Sequence, residues 1–352
     1  MRLELTSSTK GPSTSRNVSA VIVNYEAGEL LLECIRALAA QDGLLETIVV
    51  DNGSTDGSIT AATATFEDLH VVTPGSNLGF AGGANAGARV ARGELLLFLN
   101  PDVCLAPGSL SALAVELADP SVGVVGPPLD VAAAGEVEYG ATIDPIGSPV
   151  HLADRGPALY IPGCALMTRA RLFQRLGGFD ERFFMFVEDV DYCWRVLLSG
   201  LDVRVAQTAP AEHEGGAVAP GGYLTTAGVT STRLRVVLRE RNTLAMLLKC
   251  YGSPLVWIVA PLYALQSLAT AIALAAVGRR RTAKDIAGGL WWNVRELRRT
   301  VELRRMVQRY RRTKEREVLR RMYRGLWKLS LLRRFGIPEV SEQGGATSEL
   351  RA

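Results

Sequence analysis

Acidic and amide side chains stand where short apolar runs end, and their order along the chain is the informative feature. The run Val18–Asn24 precedes a second, 47–50, which ends on Asp51-Asn52-Gly53-Ser54-Thr55-Asp56. Next comes Asn77-Leu78-Gly79-Phe80-Ala81-Gly82-Gly83-Ala84-Asn85. A third run, 94–99, ends on Asn100-Pro101-Asp102, and Glu188-Asp189-Val190-Asp191 and His213 stand far downstream. Polar groups at the carboxyl ends of successive strands are what an open α/β sheet uses to build its ligand crevice. The pattern predicts a place for a nucleotide, a divalent cation and a catalytic carboxylate.

Each motif has a chemical and a plain structural explanation. Asp51 at a strand end can accept hydrogen bonds from a nucleobase imide or a ribose hydroxyl, and Asn52-Gly53 supplies a tight turn. An ordinary strand-to-helix turn explains the same residues equally well. The glycines of 77–85 permit close backbone approach, and a helix start there would favour phosphate. Small residues for helix packing are the competing explanation. Asp102 can hold a hard cation bridging a diphosphate, with phosphate oxygens and water completing the shell. One carboxylate is a thin metal site. Glu188 and Asp189 follow an aromatic stretch containing Phe179, Phe183, Phe184 and Phe186. Desolvation there would raise a carboxyl pKa and make a better base. Acids in a first helical turn also serve capping, and Asp191 with Arg195 at i,i+4 fits a pair on the helix surface. His213, one of three histidines, lies between Glu212 and Glu214 after a strand and is read as a ligand.

These groups need a scaffold. Strands are predicted at 19–24, 47–51, 69–73, 94–99, 122–126, 165–168 and 203–206. Helices are predicted at 29–40, 58–66, 82–92, 107–119, 169–176 and 190–199. That alternation argues a mostly parallel sheet covered by helices on both faces. Residues 127–160, rich in Gly, Pro and Ala, read as a meander or insertion with no assigned elements.

Composition divides the chain. Residues 1–232 carry 13 Lys/Arg against 27 Asp/Glu, whereas residues 233–352 carry 26 against 9, so the net charge of +3 hides an acidic front and a basic rear. The two parts are expected to face different partners. Five cysteines without a CxxC spacing fit a reducing compartment and no structural zinc. The first 16 residues, rich in Ser, Thr and Lys, lack the apolar segment of a secretory signal and read as a disordered tail, as do residues 336–352.

Taken together, the segments resemble family 2 glycosyltransferases of the GT-A fold. The resemblance is carried by Val21-Ile22-Val23-Asn24-Tyr25, the Asp51 segment, 77–85, and Leu97-Phe98-Leu99-Asn100-Pro101-Asp102-Val103. It continues through Pro162-Gly163-Cys164-Ala165-Leu166-Met167, Gly177-Gly178-Phe179-Asp180, 188–195 and His213. It covers about residues 17–216 and is nearest to bacterial rhamnosyltransferases that extend polyprenyl-linked glycans. It implies a dTDP- or UDP-sugar donor, L-rhamnose first, with Mg²⁺ or Mn²⁺ and inversion at the anomeric carbon. It implies donor contacts from Asn24, Tyr25, Asp51, Asn52, Asn77, Gly79, Gly82, Asn85 and Asn100. Asp102 and His213 would serve the metal, and Asp189 matches the general base. Asn100 stands where many members carry Asp, which leaves fewer carboxylates for the cation. The domain expectation is a GT-A unit over 17–232 and a basic and apolar helical membrane-associated region over 233–335.

The rear holds a basic amphipathic helix over 233–249. An uncharged apolar run, 254–277, follows, and then 279–334 with 20 Lys/Arg against 5 Asp/Glu. The apolar run is long enough to cross a bilayer, with a buried core helix as the alternative. Basic flanks on both its sides favour the cytoplasm for both, and Pro261 offers a break, so a re-entrant or interfacial hairpin competes with a span. Anionic lipids and a polyprenyl-linked acceptor are the expected partners, not nucleic acid, at the cytoplasmic face of the plasma membrane. Two rival functions remain open. One is a membrane-associated nucleotide-binding protein without turnover. The other is a nucleotidyltransferase, which would want a basic phosphate clamp near the first loop, where Tyr25 to Gly28 offer none.

Overall fold

The computed structural model describes residues 17–132, 135–215, 224–225, 228–336 and 339–341. Strands β1 (Val18–Asn24), β2 (Leu44–Asp51), β3 (Leu69–Val72) and β4 (Leu95–Leu99) come first. Then follow β5 (Val103–Cys104), β6 (Val122–Gly126), β7 (Leu129–Val131), β8 (Glu136–Glu138), β9 (Ala141–Ile143) and β10 (Pro149–His151). β11 (Ala165–Arg169), β12 (Asp202–Val205) and β13 (Ala211–His213) complete the framework of the cleft. Its helices are α1 (Glu29–Ala39), α2 (Ser58–Thr65), α3 (Gly79–Val90), α4 (Ser109–Ala118), α5 (Ala170–Arg175) and α6 (Glu188–Leu198).

A seven-stranded sheet runs in the order β12-β6-β11-β4-β1-β2-β3. All neighbours pair in parallel except β11, which is antiparallel to both β4 and β6. Side chains alternate between faces along each strand. Val21 and Val23 therefore enter one core with α3 and α6, while Ala20 and Ile22 enter a second with α1 and α4. Both faces being covered explains why every residue of β1 and β4 is buried. Register puts Asn24 beside Asp51, and Ile22 beside Leu99, so Asn100 emerges at the same sheet edge.

The segment 127–160, unassigned from sequence, holds the four short strands β7 to β10. β7 and β8 join a second sheet in the order β5-β13-β7-β8. Short strands paired through distant partners leave little periodic signal, which is why sequence could not place them.

The rear is α7 (Arg233–Cys250), α8 (Val256–Ala276), α9 (Arg280–Arg295) and α10 (Leu297–Tyr310), then α11 (Glu315–Leu319) and α12 (Trp327–Phe335). The expected boundary at 232/233 cuts through a shared core. Leu244, Ala245, Met246, Leu247 and Cys250 of α7 are buried in the same cluster as Val21, Phe98 and Trp194. Charge ties the parts as well. Lys249 Nζ lies 2.5 Å from Asp180 Oδ2 and 2.8 Å from Asp191 Oδ1, and Arg195 Nε donates to Asp191 Oδ2 at 2.9 Å. The Asp191–Arg195 pair is thus buried inside the body, not on a helix surface. The tail expected over 1–16 lies outside the described residues. Within the tail expected over 336–352, Glu339–Ser341 pairs in parallel with the strand Gly228–Thr232, and residues 337–338 and 342–352 lie outside the described residues.

Candidate active site

The carboxyl edge of the main sheet supplies one wall. Asn52 Nδ2 donates to the Gly79 carbonyl at 3.0 Å, and Asn77 Oδ1 accepts the Gly79 amide at 2.8 Å. Together they pin the turn that enters α3. That helix starts at Gly79, three residues before the expected Gly82. Gly79 has φ +66°, and a β-carbon there would lie 2.3 Å from the Phe184 carbonyl oxygen. Only glycine permits both that conformation and that approach. At Gly82 a β-carbon would press on Leu78, and at Gly83 on Val23, so these two glycines serve packing.

Tyr25, Asn52, Asn77, Gly79 and Asn100 line an open cleft of about 460 Å³. Asn24, Asp51, Gly82 and Asn85 stand behind that surface. The buried Asn24 amide donates to Ser54 Oγ and Ser58 Oγ. Asp51 Oδ1 accepts the Ser54 amide at 2.9 Å. Asn85 bonds both the N–H and the C=O of Phe179 and reaches Glu181. These groups shape the loops that form the wall.

The second sheet supplies another corner. β13 pairs with β5 so that His213 faces Val103, beside Asp102. His213 Nε2 lies 3.7 Å from Asp102 Oδ1. That oxygen and His213 Nδ1 are buried without a hydrogen-bond partner among the described residues. Burial raises the Asp102 pKa, and the His213 and Asn100 side chains counter it. His213, Asn100 and Pro101 line the cleft. A buried carboxylate oxygen lacking a donor, next to an imidazole, fits the donor set a divalent cation takes when other ligands complete its shell.

The third element is the loop before α6. Phe184, Phe186 and Val187 have φ values of 64°, 67° and 76°. Such angles are costly for aromatic and β-branched residues and persist only where the surroundings enforce them. α7 does so. Asn242 Nδ2 donates to the carbonyls of Phe183, Met185 and Phe186 at 2.9–3.0 Å, and Arg241 Nη2 donates to those of Arg182 and Phe183. The strained turn delivers Glu188 and Asp189 to the cleft. Asp189 Oδ2 accepts the Gly163 amide at 2.9 Å, and Oδ1 accepts the Val190 amide at 2.7 Å. Burial raises the Asp189 pKa, while those amides and Arg239 partly offset it. Glu188 is buried, its Oε2 has no hydrogen-bond partner among the described residues, and burial beside Asp189 pushes its pKa well up.

Sequence reasoning missed several cleft residues. His151, Tyr160, Arg235 and Arg239 also line it. His151 comes from the unassigned segment. The arginines were read as a lipid-facing surface, although their i,i+4 spacing was a legible sign of one shared helix face.

Residues 19–177 match the family model described as glycosyl transferase family 2. The chain is 28% identical over 246 residues to the N-acetylglucosaminyl-diphospho-decaprenol L-rhamnosyltransferase of Mycobacterium tuberculosis, covering 55% of this chain and 75% of that one. Over residues 19–177 the chain is a family 2 glycosyltransferase. This glycosyltransferase is also 25% identical over 210 residues to a low-salt glycan biosynthesis hexosyltransferase of Haloferax volcanii, covering 56% of this chain and 67% of that one. Its fold is that of the mannosyltransferase from Pyrobaculum calidifontis solved with GDP-Man and Mn²⁺. The TM-score is 0.51 at 20% identity, over 85% of this chain and 87% of that one. The architecture is therefore GT-A: a mostly parallel sheet flanked by helices, with a helical region after it.

Proposed function

We propose that this glycosyltransferase moves a sugar, L-rhamnose as first assignment, from a dTDP- or UDP-linked donor to a hydroxyl of a polyprenyl-diphosphate-linked glycan, with inversion. The observation that carries the reading is one cleft lined by both Asp189 and His213, with the buried Asp102 Oδ1 3.7 Å behind His213 Nε2. The mycobacterial relative's name supports both the rhamnosyl and the diphospho-prenyl assignments. Tyr25, Asn52, Asn77, Gly79 and Asn100 would hold the donor, with Asp51 ordering the loop beside it. Asp102 and His213 would hold a divalent cation, which supplies charge neutralisation for the departing diphosphate. The imidazole donor favours Mn²⁺ over Mg²⁺.

Asp189 is the general base of this proposal. Its carboxylate takes the proton from the acceptor hydroxyl, whose oxygen bonds to the anomeric carbon from the face opposite the diphosphate. The bond from that carbon to the phosphate oxygen breaks, and the nucleoside diphosphate leaves with the electron pair. The Gly163 and Val190 amides fix the carboxylate, and the aromatic loop limits water around it. An enzyme with intact donor binding and no transfer to any prenyl-linked sugar acceptor would favour the non-catalytic alternative. Incubating the protein with radiolabelled dTDP-rhamnose, Mn²⁺ and a prenyl-diphosphate-linked sugar, then following label into the lipid phase, tests the assignment directly.

The membrane part of the proposal is interfacial. α8 is long and apolar enough to cross a bilayer, but α7 and α9 pack along it. Tyr263 and Ser267 of α8 donate to Glu240 of α7, and Arg233 pairs with Asp285 of α9. A crossing would take these charges into hydrocarbon, at a cost of several kcal/mol. Trp257, Leu262, Leu265 and Ile272 instead point away from the body as an exposed apolar face. A helix lying in the cytoplasmic interface meets both facts.

A further inference from the structure

We propose that Arg235 and Arg239 form a phosphate-binding pair for the phosphate or diphosphate that joins the acceptor sugar to its lipid. The proposal rests on the reading above and adds a subsite to it. Both residues lie on α7 at i,i+4, hence on one helix face, and both line the cleft that holds Asp189. The guanidinium of Arg235 lies over the Phe186 ring, 5.5 Å from its centroid, which ties it to the strained loop. Arginine presents a planar fork of donors that matches phosphate oxygens, and two forks one helical turn apart suit a diphosphate.

Three cations of α7 tie elements of the protein together. Arg233 pairs with Asp285, Arg241 serves backbone carbonyls and stacks on Trp292, and Lys249 sits between Asp180 and Asp191. Arg239 makes no hydrogen bond or ion pair among the described residues, yet it is held at the cleft. A half-buried cation in that position is a binding group for an anion that arrives with a ligand.

The donor brings one diphosphate and the acceptor another, and placement separates them. Arg239 acts electrostatically on Asp189 and Glu188, where the acceptor hydroxyl must sit. The neighbour of Arg239 on α7, Glu240, receives Tyr263 and Ser267 of α8, whose outer face is the exposed apolar one. From the base outward the order is Asp189, the arginine pair, then α8. A lipid-linked acceptor has the same order: hydroxyl, phosphate, hydrocarbon.

The test uses the full chain in detergent and three probes: geranyl diphosphate, geraniol, and dTDP or UDP with Mn²⁺. Calorimetry compares wild type with Arg239→Gln, Arg239→Lys and Arg235→Gln. Geranyl diphosphate is expected to bind wild type and to lose about 10- to 100-fold in affinity in each Gln variant, with part of the loss restored by Lys. Nucleotide affinity is expected to stay within about twofold, which also shows that each variant is folded. Geraniol should bind weakly and equally throughout. Unchanged geranyl diphosphate affinity in both Gln variants overturns the proposal, as does failure of wild type to bind it. Loss of nucleotide affinity in a folded Arg239→Lys variant also overturns it, by assigning the pair to the donor. A wild type that binds neither nucleotide would instead sink the parent reading.

Discussion

At the scale of single residues, the cleft contains two kinds of carboxylate with different surroundings. Asp189 is tied by two backbone amides, and burial still lifts its pKa. In the proposed role of base it acts deprotonated, so activity is expected to rise with pH through its titration. The acid limb of kcat/KM is expected to have its midpoint above the ordinary aspartate value of about 4. A pH–rate profile with a midpoint at or below that value would contradict the assignment. Asp189→Asn keeps the shape and removes the base, and should lower transfer by about 10²–10⁴-fold while donor affinity changes little. Retention of more than a tenth of wild-type turnover would count against it. Asp102 is different, since its free oxygen faces an imidazole. Asp102→Ala should weaken nucleoside diphosphate binding only when Mn²⁺ is present. An equal loss in EDTA, read by calorimetry, would remove the metal role.

At the scale of elements, the strained turn 184–187 is the informative piece. Three carbonyl acceptors, of Phe183, Met185 and Phe186, on one Asn242 amide hold residues that would otherwise avoid positive φ. Asn242→Ala takes this donor from the Met185 and Phe186 carbonyls, at about 1–3 kcal/mol, while Arg241 still reaches that of Phe183. The expected result is a lower melting temperature and a kcat reduced by roughly tenfold or more, because near-attack geometry is sensitive to small displacements. Donor affinity should be nearly unchanged, as its contacts come from other elements. A variant that loses stability but keeps kcat would show that the turn does not position Asp189.

At the scale of the whole molecule, α7 makes the front and rear one folded body. A chain ending at residue 232 would lose a strip of the main core and the Lys249 partner of two buried aspartates. Removing one side of a buried ion pair costs about 3–5 kcal/mol, comparable to the stability of many domains. That truncation should lack a cooperative thermal transition, whereas Lys249→Ala in the full chain should fold with a clearly lowered melting temperature. Cooperative unfolding of the 232-residue chain would restore the boundary at that point. The outer face of α8 carries the second whole-molecule expectation. The full chain should float with vesicles rich in phosphatidylglycerol and remain partly bound in 1 M NaCl, since apolar burial resists salt. Leu262→Glu with Leu265→Glu should release it without altering nucleotide binding. Flotation unaffected by those changes would place the membrane contact elsewhere.

The sequence by itself determined the alternation of β1 to β4 with their helices, and hence the mostly parallel sheet. Those elements are long, apolar and locally encoded, so periodicity and turn residues reveal them. It also singled out Asp102, Asp189 and His213, because acids and a histidine at strand and helix ends are conspicuous in an apolar context. Tertiary structure alone decided what touches what. His213 meets Asp102 only because β13 pairs with β5, a contact between residues far apart in the chain. Asn24 and Asn85 have the same composition signal as Asn52 and Asn77, yet pairing turns the first two inward and leaves the other two on the cleft. Arg235, Arg239 and Asn242 lie on a helix whose charge pattern reads as a lipid-facing surface. Their place beside Asp189 follows from how α7 packs against α6 and the strained turn. Such packing depends on long-range complementarity of shape and charge, which no local window of sequence contains.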